Sequence, residues 1–324
     1  MHHPAGAGMR LVESGPPLTS PARVAARGRG VLRVGAVQQR WHEDAEVHAQ
    51  ALGDGVAMAV RAGAQIVFLQ ELTLSPYFAV SAEGPSPATA QPEDLMDGPT
   101  FRFAAAMAYE HGVPVHASLY EKSDADDGLG FNTAILVSPD GSLIQRTRKL
   151  HIPVTEGYRE DRWFRKGPAA EADGGGFPVT QLNLDGVTAR FGLPTCWDQW
   201  FPELARAYSL ADADIVVYPT AIGSEPDHPD FDTQPLWKQV IVGNGIANGL
   251  FMVAVNRTGV EGPLTFYGSS FISDPYGRIL CQAPRDEAAV LVAQIDLDQR
   301  RDWLDLFPFL TTRRPDAYGP LVGG

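Results

Sequence analysis

Cysteine is scarce in this chain. Only Cys196 and Cys281 occur among 324 residues, too few for a secreted disulfide scaffold and without the spacing of a metal site. Cationic side chains are also in deficit, 26 Lys and Arg against 39 Asp and Glu, for a net charge of −13. Such a balance gives no electrostatic footprint for nucleic acid and no attraction to anionic membranes. No apolar run reaches the length of a membrane span, and the first thirty residues lack the apolar stretch of a signal peptide. Internal repeats are missing too. These absences point to a cytoplasmic globular protein whose partner is a small molecule, with no metal or cofactor implied.

What is present is a full core, with 44% hydrophobic residues, and a mixed pattern of short strands and helices. Residues 1–30, rich in Gly, Ala, Pro and Arg, read as a flexible extension, with Met9 as the expected native start. Strands are predicted at 31–37, 66–69, 113–120, 133–138, 142–147, 177–184, 187–193, 214–218 and 250–256, then in a meander through 265–272, 278–282 and 289–295. Helices are predicted at 43–62, from about 100 to 111, from Pro202, and at 234–248. Pro- and Ser-rich residues 81–97 and residues 148–176 read as loops. With no linker inside 31–310, this stretch reads as one α/β domain of sheets covered by helices, followed by a tail at 311–324.

Three polar residues stand where a predicted strand ends: Glu71, Lys149 and Cys196. A rigid sheet holds such positions while leaving them open to substrate. A thiol attacking an amide carbonyl needs a base, an oxyanion partner and an acid for the departing nitrogen. Cys196 opens a strand-to-helix turn, where helix amides and a nearby lysine favour thiolate. Glu71 suits the base, and Lys149 suits the oxyanion together with the Trp197 N–H. Each residue taken alone is ordinary: a buried cysteine, a strand-end carboxylate, a loop charge. Cys281, in an apolar strand, keeps the structural reading. Trp197, beside the nucleophile, is a candidate pocket residue, whereas His151 reads as a residue that orders the lysine loop and Asn244 as a satisfied buried amide.

The wording around these residues resembles the nitrilase superfamily of carbon–nitrogen hydrolases. The resemblance rests on Arg148-Lys149-Leu150-His151-Ile152-Pro153, on Cys196-Trp197-Asp198-Gln199-Trp200-Phe201-Pro202-Glu203, on Tyr218 to Pro226 and on Phe266 to Phe271. It covers roughly residues 31–318, and its cysteine motif is similar to that of N-carbamoylputrescine amidases. It implies a four-layer α-β-β-α sandwich, a Glu71-Lys149-Cys196 triad, and a second carboxylate, Glu160, beside the lysine. Spacing alone does not separate Glu160 from Glu156 or Asp161. It also implies a homodimer or larger homo-oligomer, with the tail around Arg313–Tyr318 reaching over the neighbouring subunit. Substrate-contacting candidates are Trp197, Tyr77 and Glu225. Asp198 is weighed with Glu225 as a partner for a cationic tail, since the paired arginines that clamp a carboxylate in D-amino-acid carbamoylases are missing after Cys196. Three departures from the family wording stand out: Gln70 before the glutamate, Pro194-Thr195 before the cysteine, and Asn244 where carbamoylputrescine amidases tend to carry His. The implied activity is release of ammonia from an N-carbamoyl amine or a small amide. The rivals are an aliphatic or ω-amidase, a β-ureidopropionase-type enzyme, a nitrilase, or a catalytically silent scaffold.

Overall fold

In the computed structural model, residues 8–80, 91–168 and 176–322 are described. Most of the loop expected at 81–97 and part of that at 148–176 lie outside the described residues. Along the chain come β1 (Arg10–Glu13), β2 (Val31–Gln38), α1 (Ala45–Arg61), β3 (Ile66–Leu69), α2 (Pro99–His111), β4 (Val115–Glu121), β5 (Phe131–Val137) and β6 (Leu143–Arg148). A small hairpin, β7 (Val154–Thr155) and β8 (Tyr158–Arg159), precedes β9 (Val179–Leu184), β10 (Val187–Gly192), α3 (Pro202–Leu210) and β11 (Ile215–Thr220). The remainder is α4 (Gln234–Asn248), β12 (Phe251–Asn256), β13 (Thr258–Glu261), β14 (Leu264–Tyr267), β15 (Phe271–Ser273), β16 (Ile279–Gln282), β17 (Ala289–Asp296), α5 (Asp298–Leu306) and α6 (Gly319–Val322). None of the described helices is long and apolar enough to cross a membrane.

The strands form a seven-stranded sheet in the order β1-β17-β2-β3-β4-β5-β6 and a six-stranded sheet in the order β16-β15-β12-β11-β10-β9. Central strands β2, β3, β11 and β12 are apolar on both faces, as strands covered on both sides must be. On β3, Ile66 and Phe68 point to one face and Val67 and Leu69 to the other. The first pair joins Leu32, Val34, Phe191, Ile215, Val217, Val253 and Ile272 in a core between the two sheets. The second pair packs under α1 and α2 with Leu52, Val56, Phe101 and Ala104. On the far side, Val216, Tyr218 and Met252 pack under α3 and α4 with Leu204, Tyr208, Trp237 and Ile241. The layers are therefore helix, sheet, sheet, helix, the four-layer sandwich expected.

Helix ends follow local chemistry. Asp44 caps α1 by accepting from the N–H groups of Glu46 and Val47, and Pro occupies the first turn of α2, α3 and α4, where a missing N–H costs nothing. Gly249 ends α4 in the left-handed conformation (φ 63°).

The expectation of a flexible extension over residues 1–30 needs correction from residue 8 onward. β1 adds to the seven-stranded sheet in parallel with β17. The segment after it is strapped down by charge. Arg23 pairs with Asp296 (2.8 Å) and Asp302 (2.8 Å), Arg29 pairs with Asp214 (2.5 Å), and the N–H groups of Gly28 and Arg29 donate to Asp298. Glycine, proline and arginine signalled disorder in the sequence; here the arginines have buried carboxylates to meet.

Candidate active site

Glu71, Lys149 and Cys196 follow β3, β6 and β10, and the structure gathers them at the carboxyl ends of these strands, the usual crevice of α/β sheets. Lys149 Nζ donates to Glu71 Oε1 (2.9 Å) and to both oxygens of Glu160 (2.8 and 2.7 Å). All three side chains are buried. Glu160 starts a short 3₁₀ turn, Glu160–Arg162, directly after the β7–β8 hairpin, so the hairpin delivers it to the lysine. Of the acidic residues that spacing left open there, Glu160 alone reaches Lys149. Glu156 instead pairs with Arg159 and Asp161 with Arg162, both at the surface.

Glu71 is held by one oxygen. Asn132 Nδ2 donates to Glu71 Oε1 (2.7 Å), the same atom that Lys149 contacts, while Glu71 Oε2 is buried with no hydrogen-bond partner among the described residues. A carboxylate oxygen without a donor in a buried site is a costly feature, and it is the atom free to accept a proton.

Cys196 has φ 42°, a left-handed conformation that few side chains adopt, and it bends the chain sharply from β10 into the 3₁₀ turn Cys196–Trp200. Two elements hold that turn. Asp198 accepts from the N–H groups of Thr195 (3.1 Å) and His151 (3.0 Å) and contacts His151 Nδ1 (2.7 Å), which ties the cysteine turn to the lysine loop. His151 also stacks on Phe201, with ring centroids 3.6 Å apart. From the other side, α4 reaches Gln199: Trp237 Nε1 donates to its side-chain oxygen (2.9 Å) and Asn244 Nδ2 to its carbonyl (3.1 Å). Asn244 is thus the satisfied amide expected, and His151 the ordering residue expected. Asp198, weighed as a partner for a cationic tail, is instead committed to this clamp.

Burial pushes the Cys196 thiol well above its usual range, and the neighbouring Glu71 adds to the shift. Lys149 opposes it, and a backbone hydrogen bond from Ala221 gives a little relief. This direction runs against the expected thiolate bias and favours the thiol form. Lys149 itself loses by burial but stays charged, because Glu160 and Glu71 hold its ammonium above the ordinary lysine range. Glu160 is pushed up to about 7, by burial first, opposed by Lys149 and reinforced by Glu71. Cys281, also buried, has its thiol pushed up to about 12 by burial alone, as suits a packing residue.

Cys196 opens into a cavity of about 300 Å³. Trp197, Trp200, Ile222 and Leu236 supply apolar wall, and Glu160, Glu225 and Thr233 are polar wall residues. Of the substrate-contacting candidates, Trp197 and Glu225 line this cavity and Tyr77 does not. Tyr77 is buried behind the lysine and donates to Glu160 Oε1 (2.9 Å), so it orients a carboxylate instead. Asn132, Arg257 and Glu261, which touch the segment 71–77, carry no local signal: each is distant in sequence from its contact there.

A family model described as carbon-nitrogen hydrolase matches residues 33–305. The chain belongs to the carbon–nitrogen hydrolase family. It is 36% identical over 297 residues to N-carbamoylputrescine amidase of Arabidopsis thaliana, covering 89% of this chain and 94% of that one. With citrullinase of Francisella tularensis it shares 34% identity over 298 residues, 90% of this chain and 98% of the relative. The crystal structure of a carbon–nitrogen hydrolase from Helicobacter pylori G27 superposes with a TM-score of 0.77 at 31% identity, covering 90% and 98% of the two chains. Membership makes this carbon–nitrogen hydrolase an enzyme, and its sandwich is the family's.

Proposed function

We propose that the protein hydrolyses an N-carbamoyl amine with a cationic or neutral tail, of the N-carbamoylputrescine kind, through a Cys196-bound intermediate. The observation that carries this reading is the cavity wall. Glu225 lines the same cavity as Cys196, and no Lys or Arg lines it among the described residues. A cationic tail meets a carboxylate there, whereas a carboxylated tail finds no guanidinium to clamp it. The relatives named N-carbamoylputrescine amidase and citrullinase fit a ureido carbonyl as the reacting group.

In the proposed sequence Glu71 Oε2 takes the Cys196 proton as Sγ attacks the ureido carbonyl. Lys149 and the Trp197 N–H receive the developing oxyanion. The carbon–nitrogen bond to the terminal nitrogen then breaks, and Glu71 returns the proton so that ammonia leaves. Water, deprotonated by Glu71, attacks the remaining thiocarbamate; the thiol is restored, and the released carbamate decomposes to amine and carbon dioxide. Raising the thiol pKa suits this order, since deprotonation is coupled to attack instead of preceding it.

The test is kcat/KM for N-carbamoylputrescine, citrulline and N-carbamoyl-D-amino acids, measured by ammonia release from wild type and from Cys196→Ala. Preference for the cationic substrate, and abolished turnover in Cys196→Ala but not in Cys281→Ala, are expected. A preference for carboxylated substrates overturns the tail assignment. Substantial turnover by Cys196→Ala overturns the nucleophile.

A further inference from the structure

Arg257 follows β12, far in sequence from the reacting groups, and its side chain is completely buried. Its Nη2 donates to three carbonyl oxygens of one segment: those of Glu71 (2.9 Å), Leu72 (3.1 Å) and Ser75 (3.1 Å). Its Nη1 pairs with Glu261 Oε1 (2.6 Å), at the end of β13. The other oxygen of Glu261 accepts the N–H of Tyr77 (2.7 Å). The pair therefore grips both ends of residues 71–77, the elbow that carries Glu71 at one end and Tyr77, the partner of Glu160, at the other.

That elbow is not relaxed. Leu72 has φ 49°, a left-handed conformation that leucine adopts when its surroundings impose it. Buried ion pairs are seldom retained for stability, because apolar replacements of similar volume are often as good. Three carbonyls converging on one guanidinium give this pair another use. The hairpin that bears Glu261 also holds the chain just before Glu225: the Ser224 N–H donates to Thr265 O, and the Thr265 N–H donates to Ser224 Oγ (both 2.9 Å). One hairpin thus registers the elbow on one side and the chain leading to Glu225 on the other.

We propose that Arg257 and Glu261 are positioning residues for the reaction, a buried latch that holds the elbow so that Glu71 Oε2 and the Tyr77–Glu160 pair meet the cysteine. This rests on the reading of Glu71 as the base. A latch of this kind governs the placement of a proton acceptor more than the binding of substrate, whose tail meets Trp197, Leu236 and Glu225 on other elements.

The experiment compares Arg257→Met/Glu261→Met, Arg257→Lys, Glu261→Gln and Glu71→Gln by kcat, KM and folded fraction. The double methionine variant removes both charges together and keeps the volume. Its kcat is expected to fall by at least about tenfold per folded molecule, since small misplacements of a reacting group cost that much. Its KM is expected to stay within about threefold, the mark of an interaction realised in the transition state. Arg257→Lys, which keeps a donor and the pairing charge, is expected to retain an intermediate kcat. If the double variant does not fold, Glu261→Gln carries the test, with a lowered kcat and unchanged KM expected. Wild-type kcat per folded molecule in the double variant, or in Glu261→Gln, overturns the latch. Glu71→Gln separates the two readings: if it stays active, the base assignment itself fails, whereas an inactive Glu71→Gln beside fully active latch variants removes the latch alone.

Discussion

At Lys149 two carboxylates share one ammonium, and burial makes their protonation a matter of stability as well as chemistry. Glu160, pushed up to about 7 from an ordinary 4.5 by burial, opposed by Lys149 and reinforced by Glu71, binds its proton more tightly in the folded protein than in the unfolded chain. A raised folded-state pKa contributes stability that is fully present below the unfolded value and is lost as pH rises through the folded one. Wild type is therefore expected to lose thermal stability relative to Glu160→Gln, which does not titrate, as pH rises from about 5 to about 8. The amide and the carboxyl hydrogen-bond Lys149 and Tyr77 differently, so the slopes and not the midpoints carry the comparison. Parallel Tm curves for the two proteins across that range would remove Glu160 as the titrating group.

At the scale of elements, what the sequence made legible is what depends on apolar pattern and punctuation. The strand Ile66–Leu69 stands where its residues predict it, since both its faces are apolar, and so does the helix Gln234–Asn248, although its buried face mixes Trp237 and Ile241 with the amides Gln234, Asn244 and Asn248. Helix α5 was not legible: its buried residues are Asp298, Gln299, Arg300 and Asp302, so no hydrophobic periodicity marks it. Those groups are buried against Arg23, Arg301, the Gly28 and Arg29 amides and the carbonyls of Asn248 and Gly249, partners that only the fold supplies. The candidate site divides the same way. Glu71, Lys149 and Cys196 sit at strand ends and within quoted motifs, but Asn132 and the Arg257–Glu261 pair act across long sequence separations. One close approach shows how strict such tertiary fits are. A Cβ on Gly223 would stand 2.3 Å from Thr265 O and 2.7 Å from Phe266 Cα, and backbone atoms cannot step aside as a flexible side-chain end can. Gly223→Ala is expected to cost about 1–3 kcal/mol, in the range of overpacking, and to raise KM by shifting the chain that leads to Glu225. A variant with unchanged Tm and unchanged KM would mean that the hairpin and the cavity wall are not coupled through this contact.

For the whole molecule, the N-terminal segment is part of the architecture. Between Arg10 and Arg29 it adds an edge strand to one sheet and then crosses to the other, ending with the Arg29 guanidinium on Asp214, the residue just before β11. Asp214 is buried and also accepts the Arg190 N–H, so Arg29 supplies a large part of its compensation but not all. Earlier in the segment, Arg23 bridges Asp296 and Asp302, and Ser20 donates to Asp302 (2.8 Å). A chain starting at Val31 would leave these buried carboxylates facing water or one another, a heavier loss than that of a solvated tail. Removing one partner of such a pair leaves an under-compensated charge, for which about 1–3 kcal/mol is expected in Arg29→Ala. Deleting residues 1–30 removes several partners and the β1 ladder at once, and is expected to lower Tm far more than the single variant. Because the segment lies among β17, α5 and the start of β11, away from Cys196, kcat and KM of whatever Arg29→Ala protein remains folded are expected to match wild type. Thermal denaturation and ammonia-release kinetics on both variants check this; a deletion protein as stable as the full chain would return the segment to the status of a tail.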